Sequence, residues 1–572
     1  MFDALFTTTT EYKKLSHALS GKGACALFGL PASGRAQVYA ALCRQLDKPL
    51  CIVTPGEAEA TRFAADLNTL GIPAAVFPAR DYVLRPIEGT AREYEYRRLA
   101  VLGELVGGRL RAVAVPAEAL TQFTTPKEDF CANTRTLHAG DTLLRDDLLA
   151  ALFGAGYTRR AQVDGPGQFS VRGDIVDIFA PDQKMPVRME FWGDEIDTLH
   201  TFDLTTQRRE DAIDKFYLSP AREVLFGKPA DAAEQLRAFL AKQRGKKKTA
   251  MADCMAADLD LLDGGAVPVN MDKYLAVRYP HPATVLDYFD DPILVAEEPA
   301  SIREADRATV YRRGEELKSL ILDGVLCAGL DNLYADPSYL WSKTGHYRTI
   351  CAENFARSMP DQPLKDIINA PAHTLPAWNG EVAGLLEDLK PLCDAGYTVT
   401  LLAGTDRAAA GLARDLRDKG ILVTTDAAAA PAAGLVQVLA GHLSAGCEFP
   451  FAKYALLTGR AFGETSSQKK KRKKAKDALN SLTEITHRAI WWCTRTTVLA
   501  GMRASSAWRF RALPKTTCAL STIKKMCCMF PSPSWTCFPA TPRRGIRRMS
   551  SSAVWAGPSG PRLARRCAPL PS

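Results

Sequence analysis

Residues 167–209 read GQFSVRGDIVDIFAPDQKMPVRMEFWGDEIDTLHTFDLTTQRR. Four runs in this stretch, Gln168–Arg172, Asp174–Phe179, Val187–Trp192 and Glu195–Phe202, are rich in β-branched and aromatic residues. Turn residues separate them at short spacing, which predicts antiparallel hairpins. Side chains alternate faces along a strand. Val187, Met189 and Phe191 therefore take one face and Arg188, Glu190 and Trp192 the other. In the first run Phe169 and Val171 likewise oppose Ser170 and Arg172. The apolar faces predict a core. The opposite face presents two Arg and a Trp, residue types that dominate interface hot spots. The plain alternative is a solvated sheet face with one isolated Trp.

Working outward, Leu143–Gly156 reads as an amphipathic helix, and with the hairpins it predicts a small α+β module over 126–215. A strand is also expected at Val163–Asp164. On the N-terminal side, strands at Ala24–Leu30, Leu50–Thr54, Ala74–Phe77 and Arg111–Pro116 alternate with helices at Val38–Leu46, Ala58–Leu70 and Ala91–Leu105. This βαβ rhythm predicts a parallel sheet covered by helices. On the C-terminal side, a helix over Lys228–Thr249 is expected to end in RGKKK, followed by a strand at Ile293–Glu298. A second βα pattern runs from Leu375 to Pro450. The polar, basic stretch AFGETSSQKKKRKKAKDALNS at 461–481 reads as a linker.

Length and composition set the class. The chain has 572 residues, 47% hydrophobic and 24% charged, which is ordinary for a globular protein and excludes a fibrous or mostly disordered one. No apolar run of about 18 residues occurs. The opening MFDALFTTTTEYKKL has no secretory signal pattern, so a cytoplasmic protein with reduced thiols is expected. The net charge of +9 is uneven: residues 1–486 hold 58 of the 73 bases against all 64 acids, a net of −6. Residues 487–572 hold the other 15 bases, no acid, 6 of the 15 Cys and 5 of the 8 Trp, with no apolar periodicity.

Gly29–Ala36, GLPASGRA, follows a strand and opens a helix, the setting of a phosphate-binding P-loop. Gly29 and Gly34 keep the spacing. Arg35, however, stands where Lys should reach the β/γ-phosphates, and Ala36 where a hydroxyl should hold Mg²⁺. A decayed P-loop is expected, between a working site and a plain glycine turn. No Cys or His spacing suggests a metal site, and no serine-hydrolase or zinc-protease motif occurs. The run KKKRKKAK at Lys469–Lys476 could hold phosphate backbones, but no aromatic residues interleave with it.

The pair FSVRGDIVDIFAP and PVRMEFWGDEIDTLHTFD resembles the UvrB-homology region of the bacterial transcription-repair coupling factor (Mfd) family. The resemblance extends through EYKKLSHAL, the decayed P-loop, AREYEYRRLAVLGELVGG and YALLTGRAFG, over residues 1–486. It implies an α/β fold: a UvrB-like degenerate P-loop domain in two halves, 1–125 and 216–349, with a parallel sheet, around an inserted module at 126–215. A small α/β domain at 350–460 follows, then a basic linker at 461–486 and a disordered tail at 487–572. UvrB itself resembles this stretch but has an intact P-loop and a DNA-clamping hairpin. Arg35 and Ala36, and the lack of a long aromatic hairpin between Pro86 and Arg97, favour the coupling factor. The family resemblance implies that the module binds UvrA, with the contacting residues falling on Arg172, Arg188 and Trp192, where Trp192 replaces the family's usual phenylalanine.

After the linker the family has a polymerase-binding domain and an ATP-driven DNA translocase. Here the sequence reads THRAIWWCTRTTV. Trp491-Trp492-Cys493 is encoded TGG TGG TGY, and a one-base shift forces two Val codons. With permitted synonymous codons the same shift reads P-G-D-L-V-V, and Ile523–Trp535 becomes Q-E-D-V-L-Y-V-P-V-T-Q-L, both in the family's pattern. Residues from about 487 are therefore expected to be a frameshift product, the alternative being a divergent basic tail. The expected function is nucleotide-excision repair coupled to transcription through UvrA recruitment. RNA polymerase, double-stranded DNA, ATP and Mg²⁺ would be partners and cofactors of the full-length family, with no cofactor in this chain and no membrane. Two other readings are a UvrB-like protein that still uses ATP, and a DNA-binding protein acting through linker and tail.

Overall fold

The computed structural model describes residues 7–459, apart from 88–91, 358–361, 379–381, 428 and 431. The linker and tail expected beyond 460 lie outside the described residues. The chain opens with β1 (Gly23–Phe28), the helix Ala32–Leu46, β2 (Leu50–Thr54), the helix Glu57–Thr69, β3 (Ala74–Val76), the helix Glu93–Val106 and β4 (Ala112–Pro116). The inserted module holds β5 (Arg135–His138), the helix Arg145–Gly154, β6 (Thr158–Arg159), β7 (Gln168–Arg172), β8 (Ile175–Phe179), β9 (Val187–Trp192), β10 (Glu195–Phe202), β11 (Arg209–Ala212) and β12 (Lys215–Leu218). The chain then returns through helices to β13 (Ile293–Glu297), the long helix Pro299–Leu322, β14 (Arg348–Glu353) and β15 (Leu364–Asn369). The last strands are β16 (His373–Leu375), β17 (Thr398–Leu402), β18 (Val423–Thr424), β19 (Val436–Leu439), β20 (Gly446–Phe449) and β21 (Tyr454–Thr458).

The fold is mixed α/β. The first sheet has seven parallel strands in the order β15-β1-β14-β13-β2-β4-β3, so both ends of the chain's first 370 residues build one sheet around the module. Its inner strands β1, β13, β2 and β4 are short apolar runs buried on both faces, as helix-covered parallel strands must be. The module's sheet is β11-β10-β9-β8-β7-β6, antiparallel except for β6 on β7. The last sheet runs β16-β20-β21-β17-β19-β18. No helix among the described residues is long and apolar enough to cross a membrane.

Several sequence expectations are corrected. Strands β14 and β15 belong to the first sheet, so the change to the last sheet falls near 370–373 and not at 350. Val163–Asp164 is not a strand: Val163 is buried in a loop against Phe179 and Phe202, and the edge strand is β6. The helix expected over Lys228–Thr249 is two, Pro229–Ala241 and Gly245–Asp263, the second opening at Gly245 with φ 58. RGKKK thus opens the second helix instead of closing the first.

Candidate UvrA-facing surface and the decayed P-loop

The module's core fixes its outer face. Phe169, Val176, Ile178, Val187, Met189, Phe191, Ile196 and Leu199 are buried together with Leu148 and Leu152 of the helix Arg145–Gly154. Phe153 of that helix meets Phe169 edge-on at 5.3 Å. Each such buried side chain contributes about 1.5–3 kcal/mol, which pins the strand parity: a one-residue slip would expose the whole set.

The register then determines what lies on the other side. Ser170 pairs with Asp177 and Asp177 with Arg188, while Arg172 pairs with Ile175 and Ile175 with Glu190. Arg172, Arg188 and Trp192 therefore share one face. Arg172 and Trp192 sit at the hairpin tips, beside the two-residue turns Gly173-Asp174 and Gly193-Asp194. Gly173 at φ 62 and Gly193 at φ 63 supply the left-handed backbone such tight turns need. Trp192 is 82% exposed, an unusually bare aromatic. Arg172 is exposed, and its side chain makes a long 3.5 Å hydrogen bond with the Ala161 carbonyl.

Arg188 is different. It shares the face but not the exposure: its side chain is 13% accessible and clasps Asp177, itself 1% accessible. Nε and Nη2 donate to the two carboxylate oxygens at 2.7 and 2.9 Å, and Nη1 donates to the Gln207 carbonyl at 3.2 Å. The guanidinium lies 4.8 Å from the centre of the Phe202 ring. The hydrogen bonds to Asp177 raise its proton affinity above the ordinary arginine value against a smaller loss from burial. The strand parity agrees with the alternation read from the sequence, but on that face Arg188 is largely covered and ion-paired where Trp192 is bare. Arg145 was not singled out by the sequence, since nothing in its spacing marks it. It donates to the Gly173 carbonyl at 2.9 Å and holds the turn that carries Arg172.

The P-loop residues lie elsewhere, on the first sheet. Arg35 does not face a phosphate site. Its guanidinium, 3% accessible, turns inward to the end of β13: Nε lies 3.1 Å from Glu297 and Nη1 donates to Glu298 at 2.9 Å. Tyr39 also donates to Glu297. Burial lowers the proton affinity of Arg35, but Glu297, Tyr39 and Glu298 more than restore it. Burial pushes Glu297 above the usual carboxylate range, with Arg35 pulling the other way. Ala36 is fully buried. A Cβ on Gly29, at φ 86, would stand 2.9 Å from Asn369 Oδ1, and one on Gly34 would stand 2.9 Å from Cys447 Sγ. Both loop glycines are thus tight packing positions. The neighbouring cleft of about 580 Å³, lined by Gly29, Ala32, Ser33, Phe355 and Thr374, has Arg62 as the cation in its lining. No group of three or more His, Cys, Asp or Glu among the described residues could hold a metal ion.

Comparison with known proteins agrees with this architecture. Residues 136–224, the hairpin module, match the family model of the UvrB interaction domain. The chain is similar in sequence to transcription-repair-coupling factors. It is 26% identical over 459 residues to the transcription-repair-coupling factor of Bacillus subtilis (strain 168), a match covering 78% of this chain and 39% of that protein. The corresponding factor of Staphylococcus haemolyticus (strain JCSC1435) is 25% identical over 466 residues, 79% of this chain and 39% of its own length. That of Staphylococcus aureus (strain MRSA252) is 24% identical over 462 residues. The chain thus spans about two fifths of the length of these relatives.

Proposed function

We propose that this chain acts in transcription-coupled DNA repair by presenting the outer face of its hairpin module to UvrA. The observation that carries the reading is Trp192, 82% exposed at a hairpin tip on the sheet face that also carries Arg172, while Phe179 and Phe202 of that face are buried with Val163. A bare Trp and an exposed Arg on one face are the residue types of an interface anchor. The match of residues 136–224 to the UvrB interaction domain supplies the partner. In this reading Arg172 and Trp192 contact UvrA directly, and Arg188 positions the strand beneath them through Asp177. RNA polymerase and duplex DNA are partners proposed for the complete coupling factor. Nucleotide turnover is no part of the proposed role, because Arg35 is committed to Glu297 and Glu298.

The test is titration calorimetry of UvrA against the parent and against Arg172→Ala and Trp192→Ala. Each truncation is expected to weaken binding by about 1–3 kcal/mol. Parental affinity in both folded variants would show that this face is not the UvrA site.

A further inference from the structure

A second surface stands apart from the Trp192 face. Between β6 and the segment 265–272 lies a cleft of about 890 Å³, and four arginines line it: Arg92, Arg159, Arg160 and Arg222. Tyr96 and Phe153 contribute aromatic rings to the same lining. The one carboxylate of the lining, Asp272, is already taken. It accepts Arg80 through both oxygens, at 2.8 and 3.1 Å, and the Val83 amide at 2.8 Å. Glu95, behind the wall, accepts Arg92 at 2.8 Å and the Glu223 amide at 3.0 Å. Arg222 Nη1 is buried without a hydrogen bond and stands 3.7 Å from Glu95. Arg159 and Arg160 are exposed and make no ion pair among the described residues. Burial lowers the proton affinity of Arg222; Glu95 counters this and Arg92 adds to it. Positive charge therefore exceeds its internal partners here, on a body of net −6 over residues 1–486.

The cleft is built by close backbone approach. A Cβ on Gly156, at φ 82, would meet Arg222 Cγ at 2.7 Å, and one on Gly167, at φ 74, would meet Tyr96 Oη at 2.9 Å. Glycine at these two positions leaves room for the arginine and the tyrosine to line the walls.

We infer that this cleft binds the sugar-phosphate backbone of a single nucleic-acid strand. Guanidinium forks match phosphate oxygens two at a time. Aromatic rings beside them offer stacking surfaces that carboxylate ligands do not use. The volume exceeds what a lone phosphate fills and lies within the range of about 300–1,000 Å³ typical of organic-ligand sites. A duplex, with its phosphates on a broad convex surface, does not enter a cleft of this size.

The experiment measures fluorescence anisotropy of a labelled oligothymidylate with the full chain across a salt series. The variants are Arg159→Ala with Arg160→Ala, each exposed, in the parent and in a background where the bases of Lys469–Lys476 are changed to Ser. Binding is expected to persist in that background and to fall about tenfold or more in the double variant. The slope of log affinity on log salt should shrink by about 1.4, at about 0.7 per lost phosphate contact on a single strand. A photo-crosslinking oligonucleotide on the parent chain should label peptides within 153–168 or 222–229. Any of three results overturns the inference: unchanged affinity and slope in the double variant, labels confined to other segments, or an oligoglutamate of equal charge that binds as tightly and is lost in the same variant.

Discussion

Arg188 on β9 and Asp177 on β8 form a two-pronged ion pair across neighbouring strands, with the carboxylate sealed from water and the guanidinium roofed by Phe202 and Gln207. A pair of this kind is costly to break from one side, because the surviving charge stays buried. Arg188→Ala is therefore expected to destabilise the module by about 3 kcal/mol. Urea titration followed by intrinsic fluorescence checks it. A midpoint equal to that of the parent would mean Asp177 finds water or another donor.

Trp192→Ala is expected to leave stability within about 0.5 kcal/mol of the parent, since little of the ring is covered. Phe191→Ala, one residue away and on the core side, should cost about 3–5 kcal/mol. Thermal melts of the two variants side by side read the parity directly. Equal losses would place both rings in the core.

Arg35→Ala should unfold the first sheet more readily by about 3–5 kcal/mol, because it strands the buried Glu297. Adding ATP and Mg²⁺ to the parent should leave its melting temperature unchanged, whereas ligand at a hundred times its Kd would add about 2.7 kcal/mol. Arg35→Lys with Ala36→Thr should lower stability without creating an ATP-dependent shift, since Ala36 is fully buried and a larger residue there must displace its neighbours. A rise of several degrees with ATP in the parent counts against this account.

Asp306 in the helix Pro299–Leu322 gives a pH test. Burial raises its carboxyl from 3.8 to about 6, with Arg313 opposing. In the window between those values the folded chain keeps a proton that the unfolded chain releases, so this group's contribution to stability falls as pH rises through the window. Asp306→Asn keeps the neutral shape. It should raise stability at about pH 7.5 by roughly 1–3 kcal/mol, and the gain should shrink at about pH 4.5. Urea midpoints at the two pH values decide it. A gain that is the same at both would assign the effect to packing and not to charge.

The strands whose side chains alternate against a one-sided core were readable from the sequence. Val187, Met189 and Phe191 declare one face by type alone, and Arg188 and Trp192 follow by parity. The difference in exposure between Arg188 and Trp192 was not readable. It depends on Asp177 from the adjacent strand and on the loop that brings Gln207 over Arg188, neither of which local spacing encodes. The long helix Pro299–Leu322 escaped for a related reason: its buried positions include Asp306, Thr309 and Arg313, so its inner face carries no apolar stripe. That Arg35 stands where a phosphate-binding lysine would is visible from residue type. Its new partners, Glu297 and Glu298, lie more than 260 positions away and become neighbours only because β13 sits within the same sheet as β1.

Gly34 carries a consequence for how this loop can change. This helix glycine faces Cys447 and Phe449 of β20, and a single added carbon would collide with the sulfur at 2.9 Å. Gly34 is therefore coupled to the last sheet: a side chain can enter at this position only if β20 gives way. That is epistasis with a named origin, testable as non-additive stability effects between Gly34→Ala and Cys447→Ala: the second change, harmful alone through the cavity it leaves, should soften the first.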